Sequence, residues 1–323
     1  MEAIDLAQWT PVSLAIEPPA PTIDWCDLSD LNFSEPFFSQ TLIRVGDDAV
    51  SRELVTTDLG ALRQIDAVAP GPDPDGFIFH ISRCGSSLVS QLAAALDGVA
   101  VLAEPDPINT LLGLDPAVVD VQLQADCLRL LIQAYGRGRP KARRFIVKFS
   151  SWNLLYLDVL RRAFPEVPCV FVARDPAEVA ASILGGRTGW MRLREAPARA
   201  QSLLGIAAET IATLDDAGFC IAVLEQFLSA AIKAEIPSAL YVDYTSLPGI
   251  IWDGVLPHFG ITPTAEECEK LRDVAKRDAK TPANIFTPDG SRKRATLSME
   301  TAYLVEQRLQ PLYQRYLQLC SRS

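Results

Sequence analysis

The residues best suited to chemistry stand at the ends of apolar runs. Ile81-Ser82-Arg83-Cys84-Gly85-Ser86-Ser87-Leu88 follows the run FIFHI and precedes a stretch whose spacing predicts a helix over Ser87–Leu96. A turn between a buried strand and a helix N-terminus converges backbone N–H groups and hydroxyls on one point, where an anion can bind. Gly85 lets the backbone approach an oxygen closely, Ser86 and Ser87 can donate hydrogen bonds, and Arg83 can neutralise charge. The same residues also suit an ordinary serine-capped turn. Further along, Arg174 closes the run PCVFVA and Ser182 follows about two helical turns later, so both could reach one phosphate; the plainer alternative is a turn-capping arginine and a surface serine. Lys148 closes RFIVKF, where it is either a solvated lysine or a cation aimed at the sheet's carboxyl edge, able to stabilise developing negative charge.

These positions need a scaffold that brings strand ends together. From Phe77 the chain alternates strand-like and helix-like segments: FIFHI, a helix, VAVLA, a helix over Val119–Tyr135, the basic loop GRGRPKARR, RFIVKF, a helix around Leu154–Ala163, and PCVFVA. That pattern predicts an α/β fold, a parallel sheet flanked by helices. Residues 196–235 read as one long helix or two successive ones, SALYVDY as a further strand, and Met299–Leu319 as a terminal helix. The Pro/Gly/Asp cluster at 71–76 marks the boundary between an N-terminal accessory segment (1–75) and the α/β domain (76–323). Within the extension, Trp9, Trp25, Phe33, Phe37 and Phe38 accompany strand-like runs at Leu42–Val45 and Glu53–Thr57.

Composition narrows the function classes. Of 323 residues 49% are hydrophobic, enough for a full core, and no apolar run nears the roughly 18 residues that span a bilayer. With no signal-peptide pattern and seven scattered cysteines lacking C-x-x-C spacing, a cytoplasmic protein without disulfide framework or zinc site is expected. A net charge of −10 argues against nucleic-acid partners and leaves room only for a small, locally held phosphate ligand. The Walker A pattern G-x-x-x-x-G-K-[ST] is absent, which disfavours an ATP-dependent phosphotransferase using Asp175 as a metal ligand.

SRCGSSL resembles the PRSGTTL phosphosulfate loop of the sulfotransferases that use 3′-phosphoadenosine-5′-phosphosulfate (PAPS), with Ser82 and Cys84 in place of Pro and Ser. Arg174-Asp175-Pro176 through Ser182 is similar to the family's R-[DN]-P-x-x-x-x-x-S segment, which binds the 3′-phosphate, and LYVDYTSLP resembles its Y-E-D-L-x-x-x-P stretch. The resemblance covers about residues 77–260 and implies that the parallel α/β sheet is P-loop-like. It implies PAPS as donor, adenosine 3′,5′-bisphosphate as product, and Arg83, Cys84, Gly85, Ser86, Ser87, Leu88, Arg174 and Ser182 as donor-binding residues. The R-K-G-x-x-G-x-W segment of cytosolic members is missing; Asp289–Arg294 offers only a basic cluster that could supply a phosphate contact from a loop, read mainly as solvated charge.

Sulfuryl transfer to a hydroxyl or amine also needs a base. The histidine that follows the strand lysine in cytosolic members has no counterpart in Lys148-Phe149-Ser150-Ser151, while His258 and His80, the second within the first strand, are assigned no role. Glu104, 21 positions after Arg83, matches the spacing of the glutamate base in the protein-tyrosine sulfotransferases. It is nominated as base, with its pKa expected to be raised by an apolar pocket; organising the EPDP turn or pairing with Arg83 is the alternative, and Asp106 the reserve. Glu104, Arg83 and Lys148 thus form the expected catalytic set, with no metal required. A nucleotide-binding protein without catalysis stays open as a further reading. The acceptor is unidentified, with specificity expected from 196–235, into which Trp190, Met191 and Arg192 lead.

Overall fold

Three short strands precede the boundary: β1 (Thr10–Ala15), β2 (Thr22–Cys26) and β3 (Leu54–Asp58), paired antiparallel in the order β1-β2-β3. The computed structural model that gives them describes residues 5–16, 20–47, 52–115, 119–139, 141–186, 188–234, 236, 238–279, 284 and 293–322. The expected strand over Glu53–Thr57 is β3. Leu42–Val45, by contrast, lies inside helix α1 (Phe38–Asp47): Phe38 and Thr41 are buried, Leu42 and Val45 pack on the core, and that spacing is helical. Helix α2 (Gly60–Val68) follows β3.

The main sheet begins with β4 (Gly76–His80), every residue of which is buried. A strand covered on both faces needs an unbroken apolar run, and GFIFH provides one. Then come α3 (Ser86–Ala94), β5 (Val99–Ala103), α4 (Asp106–Leu112), α5 (Val121–Arg137) and β6 (Arg144–Lys148). A 3₁₀ turn at Ser151–Tyr156, α6 (Leu157–Ala163), β7 (Cys169–Ala173), α7 (Pro176–Gly185), α8 (Pro197–Leu204), α9 (Ala208–Thr213), α10 (Asp216–Lys233) and β8 (Leu240–Asp243) complete the alternation. All five strands run parallel in the order β5-β6-β4-β7-β8.

Register sorts the two faces. Phe79 pairs with Phe171, and Phe171 with Tyr241. Their rings stack at 5.3 and 5.1 Å, and Phe149 extends the row at 4.9 Å from Phe79. That aromatic row fixes one face. Ile78 pairs with Lys148, and His80 lies two residues beyond Ile78, so Lys148 and His80 share the other face.

After β8 come α11 (Leu256–His258) and α12 (Ala265–Ala275). The expected terminal helix is two, α13 (Met299–Arg308) and α14 (Gln310–Cys320), meeting at Leu309. Tyr316 of α14 donates to Phe171 O at 2.6 Å, which ties the C-terminus to the sheet. The N-terminal strands are tied down by Arg139, which donates to Leu28 O, Leu31 O and Thr10 Oγ1 at 2.5, 2.6 and 2.7 Å and lies over the Phe33 ring. Phe33 in turn meets Phe38, which meets Tyr135 of α5, so the extension is packed on the α/β core. No helix among the described residues is long and apolar enough to cross a membrane.

Candidate functional site

Each strand of the main sheet delivers one chemically active side chain at its carboxyl end. His80 ends β4, Glu104 follows β5, Lys148 ends β6, Arg174 follows β7 and Asp243 ends β8. Apolar runs of four or five residues stop there because the chain leaves the buried sheet and must satisfy polar groups. In an open parallel sheet this edge is where ligands bind.

The loop from Ile81 to Gly85 is held in a costly backbone shape. Ser82 and Arg83 adopt φ of 80° and 49°, and Gly85, the N-cap of α3, has φ of 91°. Left-handed φ at two non-glycine residues persists only where surroundings impose it. The Ser82 N–H turns back to donate to His80 Nδ1 at 3.1 Å, while Ser82 Oγ meets Ser151 Oγ at 3.3 Å and accepts from Trp190 Nε1 at 3.4 Å. Ser86 and Ser87 are buried in the first turn of α3, and Leu88 is half-buried beside them. Cys84 faces the core: its thiol, pushed up to about 11 by burial, donates to Val172 O at 3.1 Å. What Cys84 offers a ligand is therefore its backbone. Arg83 Nη2 donates to Gly186 O at 2.7 Å, and its Nε is buried without a hydrogen-bond partner among the described residues. That orphaned donor fits an anion held by the loop.

Gly85 has no room for a side chain. A Cβ there would lie 2.7 Å from Leu247 Cδ1 and 2.9 Å from Tyr244 Cδ2, on top of the left-handed φ. Gly85→Ala is expected to cost about 1–3 kcal/mol in urea denaturation, with the loop displaced; a variant as stable as the parent would show that the loop is not constrained here.

Glu104, with φ of 52°, donates its N–H to Lys148 O at 2.8 Å, which aims its side chain across β6. Lys148 is 0% exposed and its ammonium is hydrogen-bonded to Glu104 Oε1, with His80 Nε2 at 3.4 Å from the same oxygen. Because His80 Nδ1 accepts from Ser82, the imidazole proton sits on Nε2, facing the carboxylate. Burial by itself would push the Glu104 carboxyl up, as expected from sequence; the Lys148 ammonium and His80 outweigh it and hold the group well below the usual carboxylate range. The expectation of a raised pKa is corrected accordingly. Lys148 is also no surface lysine, and the partner of Glu104 is Lys148 rather than Arg83. Phe37, from the N-terminal extension, lies with its ring 5.2 Å from Lys148 Nζ.

Across the sheet, Arg174 is buried, stacked on the Tyr244 ring at 4.0 Å and bonded through Nε to Glu178 Oε2 at 2.7 Å. Asp175 caps α7, accepting from Ala177 and Glu178 N–H at 3.0 and 3.2 Å. Ser182 lies half-buried two turns along the same helix. Of the basic cluster, residues 289–292 lie outside the described residues, but Arg294 is not solvated charge alone: it reaches Glu178 Oε1 at 2.8 Å. Sequence reasoning missed His80, Phe37 and Glu178 as neighbours of the site. The basic cluster carried a signal, and Glu178 stands four residues after Arg174 at helical spacing, whereas Phe37 and His80 reach Lys148 and Glu104 through contacts far apart in the chain.

The fold is α/β, and Arg83, Arg174 and a buried Lys–Glu–His cluster lie along the carboxyl edge of one parallel sheet. No protein-family model matches the chain, and no curated protein matches it. Among solved structures, the chain is similar to the sulfotransferase STF9 from Mycobacterium avium, at 14% identity and TM-score 0.46 over 80% of this chain and 82% of that one. It is also similar to the sulfotransferase domain of the Synechococcus PCC 7002 olefin synthase, at 15% identity and TM-score 0.42 over 73% and 94%. The sulfotransferase domain from the curacin biosynthetic pathway gives 13% identity and TM-score 0.42 over 73% and 97%.

Proposed function

We propose that this protein is a PAPS-dependent sulfotransferase acting on a hydroxyl or amine acceptor. The observation that carries the reading is the placement of the 81–88 loop, Glu104, Lys148 and Arg174 at consecutive strand ends of one parallel sheet. PAPS, when bound, supplies the sulfuryl group and leaves as adenosine 3′,5′-bisphosphate. The α3 N-terminal N–H groups, Ser86, Ser87, Leu88 and the Arg83 and Cys84 backbone hold the 5′ end, and the Arg83 side chain adds charge. Arg174 and Ser182 hold the 3′-phosphate, distinguishing this donor from ATP. Lys148 stabilises negative charge developing at the reacting group.

Glu104 takes the acceptor proton. While Lys148 is bonded to it, the carboxylate is a weak base; as Lys148 turns toward developing charge, the burial of Glu104 raises its basicity. His80 Nε2 faces Glu104 Oε1 at 3.4 Å and helps keep it aimed, while the Ser82 N–H fixes the imidazole ring. In this reading residues 1–75 form an accessory segment that carries Phe37 over the reaction centre, residues 76–323 form the transferase domain, and the protein works in the cytoplasm. A phosphotransferase is disfavoured because the loop lacks the G-K-[ST] of a Walker A motif.

Calorimetric titration with adenosine 3′,5′-bisphosphate, ADP and ATP tests the reading. Binding of the bisphosphate well ahead of ADP and ATP is expected. Equal or tighter binding of ATP would overturn the assignment in favour of phosphoryl transfer.

A further inference from the structure

Two arginines converge on one carboxylate beside the second anion site. Arg174 gives its Nε and Nη2 to Glu178 Oε2 at 2.7 and 2.5 Å. Arg294, 116 residues away, gives the same pair of nitrogens to Glu178 Oε1 at 3.0 and 2.8 Å. Each carboxylate oxygen therefore receives one whole guanidinium edge, the edge with which arginine grips a phosphate. Arg294 Nη2 also lies 3.4 Å from Asp175 Oδ2. Two guanidinium and two carboxylate groups cancel, so the site nominated for a dianionic phosphate is electrically balanced as it stands. Glu178 is only 13% exposed, so solvent does little to screen it. Tyr244 covers a face of the Arg174 guanidinium, which limits how far that group can tip toward a new partner. A phosphate arriving at Arg174 and Arg294 must compete with Glu178 for the same edges.

We propose that Glu178 is a donor-specificity residue, an internal anion that a 3′-phosphate displaces from Arg174 and Arg294 and that a 3′-hydroxyl does not. This rests on the sulfotransferase reading above. A nucleotide with a 3′-phosphate brings two negative charges and takes over charge-assisted hydrogen bonds that already have the right geometry. ADP or ATP presents a neutral hydroxyl, leaves the Arg–Glu–Arg bridge closed and gains nothing from either cation. The same competition keeps adenosine 3′,5′-bisphosphate from binding too tightly, because the carboxylate is on hand to reclaim both arginines as the product departs. Selectivity here comes from an element that opposes binding as well as from those that favour it.

The wild type and Glu178→Gln are titrated with adenosine 3′,5′-bisphosphate and with ADP, and bisphosphate dissociation is followed by stopped flow. Gln keeps the shape and removes the competing charge. Its Kd for the bisphosphate is expected to fall by about tenfold, mostly through slower dissociation, while its Kd for ADP stays within about twofold. Glu178→Met is the second variant should Gln melt early, with the same expectation. Weaker or unchanged bisphosphate binding in variants that remain folded, with wild-type binding intact, would make Glu178 a strut for Arg174 and overturn this inference alone. A wild type that fails to bind the bisphosphate overturns the sulfotransferase reading together with it.

Discussion

Replacing Lys148 by methionine is expected to abolish most turnover while leaving the nucleotide bound, and to make the protein less stable at neutral pH by about 3–5 kcal/mol. The catalytic part follows from the proposed role of Lys148 at the reacting group: removing one such donor costs about 10²–10³ in rate. It is read as bisphosphate formation from PAPS with an acceptor found by screening. The stability part follows from Glu104, which is 21% exposed and would lose the ammonium that opposes its desolvation. The sign with pH differs between the two proteins. In the wild type the carboxyl is held below its unfolded value, so its contribution is present above the ordinary carboxylate pKa of about 4.3 and fades as pH falls below it. Without Lys148 burial dominates and the folded pKa rises, so the variant should gain stability relative to the parent as pH is lowered through the raised value. Adding Glu104→Gln should recover most of the loss, because a neutral pair leaves no buried charge unpaired. Urea denaturation of the three proteins at pH 5 and pH 8 checks this. A single variant as stable as wild type at both pH values would show that the pair is not coupled.

The sheet was legible because its strands are short unbroken apolar runs with polar residues at their exits, and those exits place Glu104, Lys148 and Arg174 on one edge whatever the register. The loop at 81–88 was legible for a similar local reason, since strand, glycine, serines and helix are contiguous. Of the N-terminal strands β3 was legible, whereas β1 and β2 were not. Pro11 interrupts β1 and a register shift follows it, so the alternation that would announce a strand is broken. TLIRV in α1 contains β-branched residues and looks extended in isolation, but packing of Phe38 and Thr41 at helical spacing overrides that preference. At the site the illegible part was the pairing. Lys148 and Glu104 are 44 residues apart and meet because β5 and β6 are neighbours in the register Ala103 to Lys148. That contact is what reverses the expected direction of the Glu104 pKa. His80 looks like one more strand residue until the left-handed turn at Ser82 brings an N–H back onto its ring.

Arg174→Ala is the substitution expected to remove donor binding most completely, raising the Kd for adenosine 3′,5′-bisphosphate by about 100-fold, or roughly 2.7 kcal/mol. The cation is buried, so its hydrogen bonds to a phosphate would be made with little competition from water. Its guanidinium plane is set by the stack on Tyr244, so little entropy remains to be lost when a ligand displaces Glu178. Lysine in its place would keep the charge but lose the planar stack and the paired donors, so Arg174→Lys should recover less than half of the lost binding energy. ADP is the control that separates a 3′-phosphate site from a merely structural arginine: its affinity should change by no more than about threefold in Arg174→Ala, since a 3′-hydroxyl has no charge to offer the guanidinium. Stability should fall only modestly, because Glu178 keeps Arg294 as a partner and is not left as a lone buried charge. Equal losses for ADP and the bisphosphate would mean that Arg174 supports the fold of the β7–α7 turn and that the 3′-phosphate is recognised elsewhere, while calorimetry showing selective loss would tie donor identity to the end of β7.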